Sequence, residues 1–110
     1  MAPRPLETRE ALIARIRAAG ARIAREPLRF GGHHHTHAIV VEGGRWQVRP
    51  LVLDLARADA YRAEHGMFMP EHAEMLSEPG PEVILDADSL EGLVAALMAV
   101  RGPLHELRRR

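Results

Sequence analysis

The sequence predicts an α+β fold whose elements follow the order α-β-β-α-α-β-α. An amphipathic helical pattern opens the chain, and a Gly-Gly turn then joins two β-type runs. Two apolar runs that end in Asp are each followed by a further helical pattern. The 110 residues fit a single domain, 1–110, with a small mixed sheet of three to four strands and helices packed on one of its faces.

The first element is a predicted helix over 6–25. Its apolar side chains recur at helical spacing and form one stripe, which consists of Leu12, Ile16, Ala19 and Ile23. Thr8 is suited to cap a slightly later start, and Pro27 ends the pattern. A helix with so regular a stripe must cover an apolar surface, and the face of a sheet is the expected one.

The segment 28–54 predicts a β-hairpin region. Gly43 and Gly44 favour a tight two-residue turn because both tolerate positive φ. Pro50 has no N–H to donate, which predicts an edge position, a bulge or a break in its strand. The predicted strands are 28–30, 33–42 and 45–54.

Helices are predicted over 55–77, a βα unit over 82–101 and a basic tail over 103–110. Leu51–Asp54 and Val83–Asp86 are continuous apolar runs, which are typical of buried parallel strands. The sequence therefore predicts a parallel pair joined by a right-handed crossover. A sheet with so few strands exposes its second face, and this favours a homodimer in which a second subunit covers that face.

The charges divide along the chain although their sum is zero. Residues 1–50 hold nine Arg against four Glu, 51–100 hold two Arg against ten acidic residues, and 101–110 hold four Arg against one Glu. Basic and acidic segments are therefore expected to face each other within the fold or across a dimer. The alternative is a nucleic-acid contact through the Arg-rich first helix and the C-terminal tail, with no membrane partner.

The chain contains no Cys, Lys or Asn. Absence of Cys excludes disulfides, thiolate metal sites and a Cys nucleophile. Because no signal peptide or apolar span is evident, a cytoplasmic location is expected. The all-Arg composition suggests a bacterial, high-GC genome, and the scarcity of amide residues is compatible with a thermophile.

A histidine run provides the candidate metal site. On a regular strand, His33, His35 and His37 share one face, and His72 is a candidate fourth ligand. Imidazoles suit Zn²⁺ or another divalent transition metal. The competing interpretation is a polar strand start whose imidazoles are exposed or hydrogen-bonded. No cofactor is predicted on that interpretation.

Two family resemblances are partial: one covers about a dozen residues and the other covers the order of the first six elements. The sequence from His35 to Glu42 with the Gly-Gly turn is similar to the first metal-binding motif of cupins, but helical patterns follow where a cupin needs strands. The element order resembles that of type II KH domains, yet Gly66–Met69 lacks the second Gly of their G-x-x-G loop and is surrounded by acidic residues. Neither family is assigned.

Asp54, Asp86 and Asp88 follow the two apolar runs and form the carboxylate alternative. If those runs are adjacent parallel strands, Asp54 and Asp86 lie close enough to hold Mg²⁺ or to act as an acid/base pair. The simpler interpretation is that Asp54 and Asp88 cap the following helices. Catalytic residues are not assigned.

An apolar loop and the first helix provide the candidate interaction surface. It consists of Met67, Phe68 and Met69 with Arg15 and Arg22. Soft, polarisable Met side chains in a loop fill a core gap or form a contact surface. The leading hypothesis is a non-catalytic homodimeric interaction or accessory protein. The alternatives are a His-based metal-binding protein and a nucleic-acid-binding module.

Overall fold

Five strands and four α-helices make up residues 5–108, the part of the chain that the computed structural model describes. The α+β class and the element order agree with the prediction, although the sheet has more strands than expected. Two 3₁₀ segments, Gly20–Ala24 and Leu104–Glu106, accompany the regular elements. In chain order these are α1 (Arg9–Ala19), β1 (Leu28–Gly31), β2 (His35–Glu42), β3 (Arg45–Leu53), α2 (Leu55–His65), α3 (Pro70–Met75), β4 (Ser77–Pro79), β5 (Leu85–Ala87) and α4 (Leu90–Ala99).

The first helix begins as its cap predicts and ends earlier than expected. The Thr8 hydroxyl accepts a hydrogen bond from the backbone N–H of Ala11 at 3.1 Å, which satisfies one of the free donors at the helix start. Gly20 has a φ of +52° and ends the α-helix, and the chain continues as one 3₁₀ segment. Ile23 is nevertheless buried, so the predicted stripe survives the change of helix type.

The hairpin of β2 and β3 forms at the predicted turn. Gly43 and Gly44 have φ values of +57° and +78°, the left-handed pair that a two-residue turn of the I′ type requires. The register pairs Ile39 with Val48 and Val41 with Trp46. These apolar pairs therefore share the face on which the core is built.

Pro50 lies inside a continuous and central strand, which differs from the predicted edge position. Strand β3 pairs with β2 on one side and with both β4 and β5 on the other. Along that second side the pairing breaks between Val48, opposite Leu85, and Leu51, opposite Pro79. Because Pro50 falls in this gap and still accepts from the Gly80 N–H at 2.8 Å, its missing donor costs no ladder bond.

The prediction of a parallel strand pair is wrong, because every pairing among the described strands is antiparallel. The helices α2 and α3 do not cross a face of the sheet. They leave and return at the same end of β3, where the Asp54 N–H donates to the carbonyl of Leu76 at 3.2 Å. The chain re-enters beside the strand it has just left and must run back along it.

One face of the sheet holds the hydrophobic core. Phe30, Ile39 and Val48, from three neighbouring strands, are fully buried on this face. Burial of a side chain of this size contributes about 1.5–3 kcal/mol, so these positions fix the layer. The helices α1 and α4 cover it with Leu12, Ile16, Leu93, Val94 and Leu97.

The opposite face of the sheet carries a polar row. Arg49 donates to Gln47 at 2.7 Å and forms an ion pair with Glu42. The small or β-branched side chains of Ala38 and Val40 are buried on the β2 strand beside this row. The face therefore carries hydrogen-bonded polar groups beside apolar side chains, and the predicted dimer across the sheet stays a prediction.

The last helix is capped by Ser89 rather than by Asp88. Ser89 is extended and its hydroxyl accepts from the Gly92 N–H at 3.0 Å, whereas Asp88 lies one residue too early. No helix among residues 5–108 is both long and apolar enough to cross a membrane. Beyond α4, Leu104 and Leu107 are buried against the core, and the final two arginines of the basic tail lie outside the described residues.

Candidate functional site

The last histidine of the run that predicted a metal site, His37, belongs to the core. His37 is 4 % exposed and stacks on Phe30 with ring centroids 5.6 Å apart. Its Nε2 lies 2.9 Å from the carbonyl of Leu107 and its Nδ1 lies 2.6 Å from the Thr36 hydroxyl. A carbonyl only accepts, so Nε2 carries the proton and Nδ1 accepts from Thr36. Nε2 therefore holds the C-terminal segment to β2, while Nδ1 is occupied by the neighbouring Thr36 of the same strand.

The preceding histidines turn toward a different partner. Strand β2 begins at His35, so His33 lies in the bend before it and the predicted alternation of the three imidazoles does not form. His35 Nδ1 lies 2.7 Å from Glu74, whose carboxylate also accepts from the His35 backbone N–H. His34 Nδ1 approaches the other carboxylate oxygen at 3.6 Å. These contacts attach the end of α3 to the start of β2.

The fourth predicted ligand, His72, lies on α3 and accepts the Met69 N–H at 3.0 Å through Nδ1. The structure thus separates the predicted ligands. His37 lies in the core, His33 lies in a bend, His35 contacts Glu74 and His72 caps α3. Within residues 5–108, no group of three or more His, Cys, Asp or Glu side chains is arranged to hold a metal ion.

Asp54 is separated from the other two predicted aspartates. Asp54 accepts from the Arg57 N–H at 3.1 Å and caps α2, as its position predicts. Asp86 lies opposite Gln47, near the other end of β3, so the antiparallel register keeps it away from Asp54. A hydrogen bond from Arg45 at 3.0 Å lowers the pKa of the Asp86 carboxyl. The expected acid/base pair is not assembled.

Ion pairs join the basic and acidic parts of the chain, as the division of charge predicts. Arg17 of α1 contacts Glu91 of α4 at 3.1 Å, and Arg45 contacts Asp86 at 3.0 Å. The Glu91 carboxylate raises the pKa of the Arg17 guanidinium. Part of the positive charge of the first half is consequently neutralised by carboxylates of the second half of the same chain.

The two arginines assigned to the interaction surface have different surroundings. Arg15 makes a two-pronged contact with Glu7, at 2.8 and 2.6 Å, and also donates to the carbonyl of Arg29. Arg22 donates to the carbonyls of Ala18 and Ala19 at the end of α1. Arg22 therefore reinforces a helix end, where a cation is favourable.

The apolar part of the predicted interaction surface, Met67–Met69, lies in the loop between α2 and α3. We call residues 54–76 the helical arm. It comprises α2, the loop at 66–69 and α3. Ala58 is the one buried side chain of α2, and α3 has none. Since a helix in a globular domain normally buries one face, the arm stands largely apart from the core.

Aromatic contacts within the arm hold its two helices together. Tyr61 of α2 lies over His72 of α3, with ring centroids 4.6 Å apart, and 6.4 Å from Phe68. The Arg62 guanidinium lies 5.4 Å from the Phe68 ring centroid, a cation–π contact. Phe68 is half-buried by these contacts, whereas the flanking Met67 and Met69 are exposed. The arm is thus internally braced while its methionines face outward.

An apolar stripe runs along the outside of α2. Three exposed alanines, Ala56, Ala60 and Ala63, are separated by four and three residues, which places them on one side of α2, and the exposed Met67 lies in the loop just after the helix. Leu55 and Met75 add exposed apolar surface near the base of the arm. The stripe of α1 has similar spacing and is buried. The pattern on α2 could therefore be found in the sequence, but alanine is too weakly apolar to indicate a contact surface by itself.

Comparison with known proteins gives no match: no protein-family model fits the chain, and neither a curated protein nor a solved structure is detectably similar to it. Any account of function must therefore begin from the arm, the ion pairs and the clefts of this chain itself.

Proposed function

We propose that the chain acts as a homodimeric interaction protein without a catalytic step, and that two copies pair through the helical arm. The observation that carries this proposal is the exposure of apolar side chains on the arm: Leu55 is 71 % exposed, Met67 57 % and Met75 55 %. Several large apolar side chains exposed on one segment of a small domain support a contact surface there. The hydrogen-bonded polar row on the open sheet face is less suited to this role.

A second copy is the occupant that the charges of α2 favour. If two α2 helices pack antiparallel about a two-fold axis midway along the helix, Ala60 of each lies close to the axis. Arg57 of one copy then lies beside Glu64 of the other, and Arg62 beside Asp59. A symmetric interface must be complementary to itself, and this arrangement would add contacts between opposite charges to the ones that Arg57 and Arg62 make with Glu78 and Asp59 of their own chain, at 3.5 and 3.4 Å.

Alanines in the stripe support close packing of the two helices. Small side chains allow helix axes to approach at the short end of the usual 8–10 Å range. Met67 and Met69, at the tip of each arm, would then cover the base of the other arm near Leu55. Flexible thioethers adapt to such an irregular surface. A cytoplasmic setting, expected from the sequence, is part of the same proposal.

Sedimentation velocity over a wide range of protein concentration tests the proposal. We expect a reversible monomer–dimer equilibrium for the wild type. Ala60→Glu should raise the dissociation constant of the dimer by about tenfold or more, which corresponds to a loss of about 1.4 kcal/mol or more. Ala14→Glu is the matched control because Ala14 is also exposed and helical but lies on α1.

A wild type that stays monomeric at every concentration would overturn the proposal. So would a dimer that Ala60→Glu and Ala14→Glu leave equally intact, because the interface would then lie elsewhere. Thermal unfolding of both variants establishes that the comparison is made between folded proteins.

A further inference from the structure

A groove lies between α4 and the edge of the sheet formed by β5. It has a volume of about 630 Å³, within the range of about 300–1,000 Å³ that is usual for small-molecule sites. Strand β5 forms one wall and the outer side of α4 the other. The apolar lining consists of Ile84, Leu85, Ala96, Ala99, Val100 and Leu107.

The groove exists because the sequence of α4 changes from one side to the other. Toward the core the helix presents Leu93, Val94 and Leu97, all buried. Toward the groove it presents Ala96 and Ala99, which are too small to reach β5 and leave the intervening space open. The lining is thus apolar without being filled by the chain's own described side chains.

Two arginines lie at this groove, and they differ from the arginines of α1 and of the hairpin. Arg101 and Arg108 line it and are exposed, and neither makes an ion pair with a carboxylate of residues 5–108. Arg17 and Arg45, by contrast, are paired with Glu91 and Asp86. Two guanidinium groups beside an apolar groove favour a ligand that supplies the missing negative charge.

The one acidic residue in the lining does not supply that charge. The Glu106 carboxylate lies 3.6 Å from Nε2 of His105, and both groups belong to the short 3₁₀ segment after α4. Its nearest basic partner is therefore a neighbouring imidazole rather than a guanidinium of the groove. The balance of charge in the lining stays positive, with Arg101 and Arg108 against Glu106.

We propose that this groove binds an anionic amphiphile: a small molecule whose aliphatic chain lies between α4 and β5 and whose carboxylate is held by Arg101 and Arg108. The apolar lining supplies affinity by burying the chain, at about 0.8 kcal/mol for each methylene group. The arginines supply selectivity for the head group. This site is separate from the helical arm and does not depend on dimer formation.

Isothermal titration with decanoate, decanol and decyltrimethylammonium tests the proposal, with the two ionic ligands kept below their critical micelle concentrations and decanol below its solubility limit. We expect saturable binding of one decanoate per chain, weaker binding of decanol and the weakest binding of the cation. Arg101→Gln/Arg108→Gln should weaken decanoate binding by about tenfold, the loss that corresponds to about 1.4 kcal/mol, while leaving decanol binding unchanged. Arg25→Gln, at an exposed arginine after α1, is the control.

Ala96→Phe provides a second variant that fills the groove and should abolish binding of both decanoate and decanol. Its thermal unfolding, compared with that of the wild type, shows whether it is folded. The proposal is overturned if decanoate does not bind saturably, or if the arginine variant and Arg25→Gln bind it equally well. Binding to anionic phospholipid vesicles without binding of monomeric decanoate would also overturn it, because the surface would then recognise a membrane.

Discussion

Stability should fall as the pH is lowered through the range in which His37 titrates. Burial lowers the pKa of this imidazole below its ordinary value of 6.5; the hydrogen bond to Leu107 opposes the shift, and the nearby charge of His105 adds to it. Above pH 6.5 the ring is neutral in both the folded and the unfolded chain. As the pH falls below that value, the unfolded chain takes up a proton that the native chain still excludes, so the free energy of unfolding decreases.

The substitution His37→Phe isolates this contribution. Phenylalanine retains the stacking on Phe30 but loses the hydrogen bonds to Thr36 and to the carbonyl of Leu107. Each bond contributes about 1 kcal/mol, so the variant should be about 2 kcal/mol less stable at pH 8. For a domain of this size, that loss lowers Tm by about 10 °C.

Urea unfolding of both proteins at several pH values between about 5 and 8 provides the measurement. The wild type should lose stability toward pH 5 more steeply than His37→Phe does. His65→Gln serves as a control for the loss of a histidine, because His65 is exposed on the arm. We expect this variant to have the same dependence of unfolding free energy on pH as the wild type. An identical pH slope in His37→Phe and the wild type would refute the reasoning.

Three further outcomes are expected. Asp54→Ala should lower the free energy of unfolding by about 1 kcal/mol through loss of the α2 cap, while Asp88→Ala changes it little; urea unfolding that shows equal losses contradicts this. Calorimetric titration with Zn²⁺ should give no site at micromolar concentration, and an affinity lost jointly in His35→Ala and His37→Ala would restore the predicted metal site. Mixed DNA and RNA should not bind at low salt, whereas salt-sensitive binding that Arg22→Gln weakens would support the nucleic-acid alternative.

Local chemistry allowed much of the fold to be predicted. The Thr8 cap, the hairpin at Gly43 and Gly44 and the Asp54 cap each depend on a few neighbouring residues. The charge division also predicted ion pairs between the two halves, such as Arg17 with Glu91. The caps and the turn are encoded within a few neighbouring residues, so they can be inferred without knowing the tertiary structure, whereas the charge division predicts that such ion pairs form but not which residues make them.

The direction of the strands and the contacts that each side chain makes were harder to predict. The run Val83–Asp86 has the same apolar character in a parallel or an antiparallel strand, and the structure pairs it antiparallel with β3, through Leu85 opposite Val48 and Asp86 opposite Gln47. Similarly, the spacing of His35 and His37 gives no indication that one contacts Glu74 while the other contacts Leu107. Both outcomes depend on partners that are distant in sequence.

Cross-linking through a single introduced cysteine tests the paired-arm proposal most directly, because the chain has no cysteine of its own. Ala60→Cys lies at the centre of the proposed α2 pair, and Ala14→Cys on α1 is the control. With a short bis-maleimide at dilute protein concentration, we expect a cross-linked dimer for Ala60→Cys and monomer for Ala14→Cys. Equal cross-linking of the two variants, or none for Ala60→Cys, would contradict a homodimer that pairs through the helical arm.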